Sequence, residues 1–135
     1  MKRFVTEDSF WQLFPDAAIG VIVARGLRSA EEVGEQGRAE LASLLEGANR
    51  LAERHITSDT ISENEPVRAW REAYRRFKTK KGARCSIENL LKRVIKGRPV
   101  GPITPSVDVY NAVSLKYALP VGGEDIDSFA DIQDI

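Results

Sequence analysis

AAIGVIVA, residues 17–24, decides the fold class. The run is β-branched, nearly continuous in apolarity and about as long as one strand, a pattern that suits a strand covered on both faces. Upstream, Phe4 and Val5 can add a short strand, and Asp8 or Ser9 can cap a short helix carrying Phe10, Trp11, Leu13 and Phe14 that stops at Pro15. Downstream the periodicity becomes helical. From about Glu31 to Glu53, Val33, Leu41, Leu44, Leu45, Ala48, Leu51 and Ala52 keep helical spacing, with weak points at Gly37 and Gly47. Asn64 or Glu65 before Pro66 opens a second helix with Val67, Trp70, Tyr74 and Phe77 on one stripe. Ser86 caps a third, whose Ile87, Leu90, Leu91, Val94 and Ile95 run toward Lys96, Gly97 and Pro99. Thr104-Pro105 opens a fourth, Ser106 to about Tyr117, ending near Pro120 and Gly122-Gly123. Residues 125–135 read as a short terminal strand or a frayed tail. The expected fold is α/β: helix-rich, with a small central sheet that includes residues 17–24.

At 135 residues the chain has the size of one domain. A single cysteine, Cys85, excludes an internal disulfide framework, and the N-terminus shows neither a signal core nor a transit pattern, so a cytoplasmic home is expected. No apolar run approaches the roughly 18 residues that a membrane-spanning helix requires. With one histidine and one cysteine there is no recognisable transition-metal site, and Lys80-Lys81-Gly82 lacks the glycines of a phosphate-binding loop; no metal and no cofactor are expected.

Twenty basic and twenty acidic side chains cancel over the whole chain, yet they are segregated. Between Arg68 and Arg98 stand twelve Lys or Arg against two acids, whereas Glu31 to Glu65 holds nine acids against three arginines. A cationic face built from Arg75, Arg76, Lys78, Lys80, Lys81 and Arg84 would attract a phosphate backbone, gaining mainly by counterion release. The competing reading is a solvated face, or a basic half paired with an acidic half of the same domain. Trp70, Tyr74 and Phe77 could stack bases, but their stripe spacing favours core packing.

The segment PITPSVDVYNAVSLKYALPVGGEDID, residues 102–127, resembles the strongest motif of the B3/B4 domain of the phenylalanyl-tRNA synthetase β subunit. Val107-Asp108-Val109-Tyr110-Asn111 matches that motif's V-D-V-T-N core, Val113 and Leu115 match two apolar positions, and Pro120 matches the proline after the helix. Asp125 and Asp127 fall at its end. RRFKTKKGARCSIENLLKRVIKG, residues 75–97, is similar to the basic helix and capped apolar helix of the stand-alone members. The resemblance implies one B3/B4-like domain over residues 1–135, lacking the C-terminal part of the family's domain, with tRNA or aminoacyl-tRNA as partner. It also implies, as an activity, hydrolysis of the ester of mischarged tRNA in trans. Two departures bear on that activity: Tyr110 stands where the family has threonine, and Gly122 where it has histidine. They leave open a non-catalytic RNA- or protein-interaction module, a small-molecule binder, or a chain that associates with another chain through exposed apolar edges.

Read through the resemblance, Asn111 would present its amide to the ester carbonyl or ribose, and the backbone N–H groups of Gly122 and Gly123 would approach the same atoms. Tyr110 would contact the amino acid or adenine, and Glu124 with Asp125 the substrate ammonium. Asn111 serves equally well as a tie between helix and loop. Asp108, early in its helix, reads as a cap rather than a base. His55, after a long helix, reads as a donor to terminal carbonyls, and Cys85 beside Arg84 as a thiol whose pKa could be lowered.

Overall fold

The structure, a computed structural model, describes residues 3–128. Its elements are α1 (Asp8–Leu13), α2 (Gly34–Ala52), α3 (Glu65–Tyr74), α4 (Ser86–Ile95) and α5 (Pro105–Tyr117), with single 3-10 turns at Glu53–His55, Ile61–Glu63 and Ile126–Ser128. Among the described residues there is no strand, so the expected small central sheet is not part of the fold. Residues 17–24 and Phe4–Val5 are irregular, and Ile19, Val21, Ile22 and Val23 are all exposed, Ile22 by 92%. A β-branched run satisfies the side-chain preference of a strand, but a strand exists only where a neighbouring segment takes up its N–H and C=O groups. Residues 17–24 have no such ladder. Of the expected terminal strand or tail, residues 129–135 lie outside the described residues, while Ile126–Ser128 form a 3-10 turn.

The chain divides into two units: Gly26–Gly123, and a smaller one of Met1–Arg25 with Glu124–Ile135. In the smaller unit, α1 places Phe10 edge-on to Trp11 with ring centroids 5.0 Å apart and against Phe14 at 5.5 Å. None of its helical residues is buried.

The larger unit holds the core. Leu45, Ala48 and Ala52 of α2, Val67 of α3, Ile87 and Leu91 of α4, and Ala112 and Leu115 of α5 are buried together with Cys85, Val100 and Ala118. The longest helix, α2, runs through Gly37 and Gly47 without a break and packs most extensively on α5. Buried asparagines tie the loops to this helical frame. Asn49 accepts from the Val100 N–H at 2.9 Å and donates to the Val100 carbonyl at 2.9 Å, fastening the α4–α5 connection to α2. Asn64, fully buried, accepts from the Thr57 and Ser58 amides at 2.7 and 3.1 Å and donates toward the carbonyls of Ser58, Thr60 and Ile61. The loop before α3 is thereby wrapped around one side chain.

Helix ends follow local chemistry. Cys85 is the residue flanking α4 and Ser86 its first helical residue, one place from the expected cap. Past the end of α4, Gly97 takes φ +64°, with its N–H on the Val94 carbonyl and the Arg98 N–H on the Arg93 carbonyl, both at 2.9 Å. This is the paired C-terminal motif that glycine favours. Pro105 opens α5, and the buried Asp108 carboxylate accepts the Ile103 N–H at 2.7 Å, the capping role expected of it. At the other end of α5, Arg54 donates to the Lys116 carbonyl, and His55 Nε2 lies 3.0 Å from the same oxygen. His55 therefore sits at terminal carbonyls as expected, on α5 rather than on its own helix.

Candidate nucleic-acid interface

Helix α3 interleaves two residue types. Trp70 and Tyr74 lie four residues apart, as do Arg71 and Arg75, and Arg68 precedes Arg71 by three, so arginines and aromatics form adjacent stripes on one helix. Both aromatics are half-buried and pack against the core, yet both also line a cleft of about 220 Å³. Arg71, Arg75, Thr79, Ala83, Arg84, Cys85 and Glu88 complete its wall. A second cleft, on Ser62, Arg68, Arg71, Glu72 and Arg75, shares Arg71 and Arg75 with the first. Beside them Phe77 is exposed and meets Tyr74 edge-on, with centroids 5.7 Å apart and an interplanar angle of 66°.

Glu88 organises the first cleft. Its carboxylate is nearly inaccessible and accepts Arg71 Nε at 3.0 Å and Arg71 Nη2 at 2.6 Å, a two-point fork, while Arg84 Nε lies 3.4 Å away. The fork with Arg71 is the main reason that Glu88 is held below the usual carboxylate range, and it raises the Arg71 guanidinium in turn. Arg84 also donates to the Ala83 carbonyl at 2.7 Å. Both arginines pair with an acid of their own segment, so the acidic stretch of residues 31–65 does not supply their partner. Arg68, Arg75, Lys78, Lys80 and Lys81 are exposed. The connection between α3 and α4 turns at Lys80–Ala83, where the Ala83 N–H reaches the Lys80 carbonyl at 3.0 Å and Gly82 takes φ +81°. That left-handed position carries glycine because it has no side chain to clash, and the turn leaves Lys80 and Lys81 in solvent.

Cys85 lines the same cleft, but its thiol is not activated. Burial pushes its pKa up against the lowering pull of the Ser86 and Ile87 amides, so it stays protonated at neutral pH. Burial is also the main cause that raises the Tyr74 phenol, with Cys85 adding to it.

The residues assigned to ester chemistry lie elsewhere. Tyr110 and Asn111 are on α5, and Asn111 is 8% exposed on the face turned to the core. The structure brings Tyr110 to Gly123: a Cβ built on Gly123 would stand 3.1 Å from Tyr110 Cε1, so the ring lies on bare backbone. Gly122 has open space around it. Neither cleft is lined by Asn111, Gly122 or Gly123. Glu124 and Asp125 belong to the smaller unit, where the Asp125 carboxylate accepts the Asp127 N–H at 3.0 Å and the Ser128 hydroxyl at 2.9 Å. Among the described residues no group of three or more His, Cys, Asp or Glu is placed to hold a metal ion, and no helix is long and apolar enough to cross a membrane.

Of the residues that the sequence offered for a basic face, the structure brings Arg75 and Arg84 to one cleft; Trp70 and Tyr74, for which the sequence favoured core packing over base stacking, line that cleft as well, and Arg68 and Arg71 were not among the candidate site residues. The signal was present in the alternation of arginine with aromatic at four-residue spacing.

The larger unit is thus a small helical unit with basic and aromatic side chains side by side on one face. Residues 69–135 match the family model of the B3/4 domain, consistent with the resemblance carried by residues 102–127. Comparison with curated proteins and with solved structures found no match.

Proposed function

We propose that the chain is a tRNA-binding or aminoacyl-tRNA-binding domain whose docking face is α3, the turn at residues 78–84 and α4. The observation that carries this reading is the basic face of α3 and its turn, nearly all of which falls in the segment that matches the B3/4 domain model. Exposed arginines and lysines displace counterions from a phosphate backbone, and guanidinium groups hold phosphates at two points. Binding is therefore expected at low salt, with affinity falling steeply as salt rises.

Hydrolysis of a mischarged ester in trans is the second reading, favoured by the Val107–Asn111 match. An activated ester needs only positioned water and hydrogen-bond donors. Asn111 and the Gly122–Gly123 backbone are the groups on which this reading stands. A single-turnover deacylation assay over correctly and incorrectly charged tRNAs tests both readings together with a binding measurement. Hydrolysis of one mischarged species, abolished in Asn111→Ala, would establish the enzyme. Binding without turnover would leave the binding module, and no binding at low salt would refute both.

A further inference from the structure

We propose that the cleft on Trp70, Tyr74, Arg75 and Arg84 holds one unpaired nucleotide of the bound RNA, its base against the aromatic wall and its phosphate between the two arginines. The inference rests on the RNA-binding reading above and names what that face selects: single-stranded rather than duplex RNA.

Three features support it. First, the cleft combines aromatic surface with guanidinium groups, the pairing by which single strands are held through base stacking and phosphate neutralisation. Its volume, about 220 Å³, lies below the range of roughly 300–1,000 Å³ usual for drug-sized ligands, which suits one ring system. Second, the negative group in the wall is already neutralised. Glu88 accepts the Arg71 fork and faces Arg84, so the wall keeps a positive balance, and its thiol remains uncharged. Third, the anion path does not end at this cleft. Arg71 and Arg75 are shared with the adjoining cleft that contains Arg68, and Arg68 to Arg75 spans roughly 10 Å of helix. A path of that length fits a chain of phosphates better than an isolated anion.

Trp11 and Trp70 are the two tryptophans of the chain, so Trp11→Phe leaves Trp70 as the fluorescent reporter. The Trp11→Phe protein would be titrated with a short unpaired oligoribonucleotide, a blunt RNA hairpin and inorganic polyphosphate, with labelled-RNA anisotropy followed in parallel. Saturable quenching of Trp70 by the unpaired strand, weaker with the hairpin and absent with polyphosphate, is expected. Tyr74→Leu should weaken binding of the unpaired strand by about 5- to 150-fold, the range that corresponds to losing one stacked base. Because Tyr74 also packs on the core, the exposed Arg75→Glu serves as the second variant, and it should abolish the quench in a folded protein. RNA binding by anisotropy with no change at Trp70, or the same quench with polyphosphate, would overturn the nucleotide cleft while leaving the RNA-binding reading intact. Absence of any RNA binding would overturn both.

Discussion

Asn64 is the residue on which the most structure depends. One side chain serves two backbone N–H groups and three carbonyls of the loop before α3, and it is fully buried. Removing it strands several buried polar groups at once, so Asn64→Ala is expected to cost about 3 kcal/mol, read as a lower urea midpoint at an unchanged slope. Glu88 offers a test by pH. Its folded pKa is depressed below the ordinary value of 4.5, so its contribution to stability is fully present above that value and is lost as pH falls below it through the folded pKa. Glu88→Gln should make the acid limb of the stability curve shallower, and equal limbs in the two proteins would show that the Arg71 fork contributes nothing. Neither role could be read in full from the sequence. Asn64 before a proline reads as a helix start, which it is, but the sequence does not say that a loop folds around its amide. Glu88 reads as one acid in a basic segment, and only packing brings Arg71, seventeen positions away, into a fork with it.

At the scale of the element, local signals served well where capping chemistry is self-contained. Thr104-Pro105 and the pair Lys96-Gly97 mark helix ends because proline fits the first turn and glycine the left-handed position, whatever surrounds them. Gly97 has no atom near enough to obstruct an added Cβ, so Gly97→Ala isolates the backbone effect and should destabilise by about 1 kcal/mol in chemical denaturation. Helix α5 shows where pattern falls short. It buries Asp108, Asn111 and Ser114, yet leaves Val109, Val113 and Tyr117 exposed at four-residue intervals. Ser114 donates to the Leu119 carbonyl and Asp108 accepts from Ile103, so the buried polar positions close the two ends of the helix. Residues 17–24 are the opposite case, with side chains suited to a strand but no ladder to make one.

For the whole molecule, charge segregation is the property with a direct functional reading. Lys78, Lys80 and Lys81 stand in solvent on the connection between α3 and α4, so replacing all three with glutamate should leave thermal stability nearly unchanged. The same replacement should weaken tRNA binding and flatten the dependence of log K on log salt by roughly 2 to 3 in slope, as expected for three lost phosphate contacts. An unchanged slope would move the interface away from this connection. The sequence by itself determined the positions of the main helices, the basic segment and the family motif, because caps, helical spacing and composition act over a few residues. Only the tertiary structure decided that residues 17–24 form no sheet, that Trp70 and Tyr74 line a cleft while packing on the core, and that Arg71 and Arg84 converge on Glu88. Backbone pairing, partial burial and ion-pair choice depend on which distant segments meet, and that is fixed by packing rather than by any local run of residues.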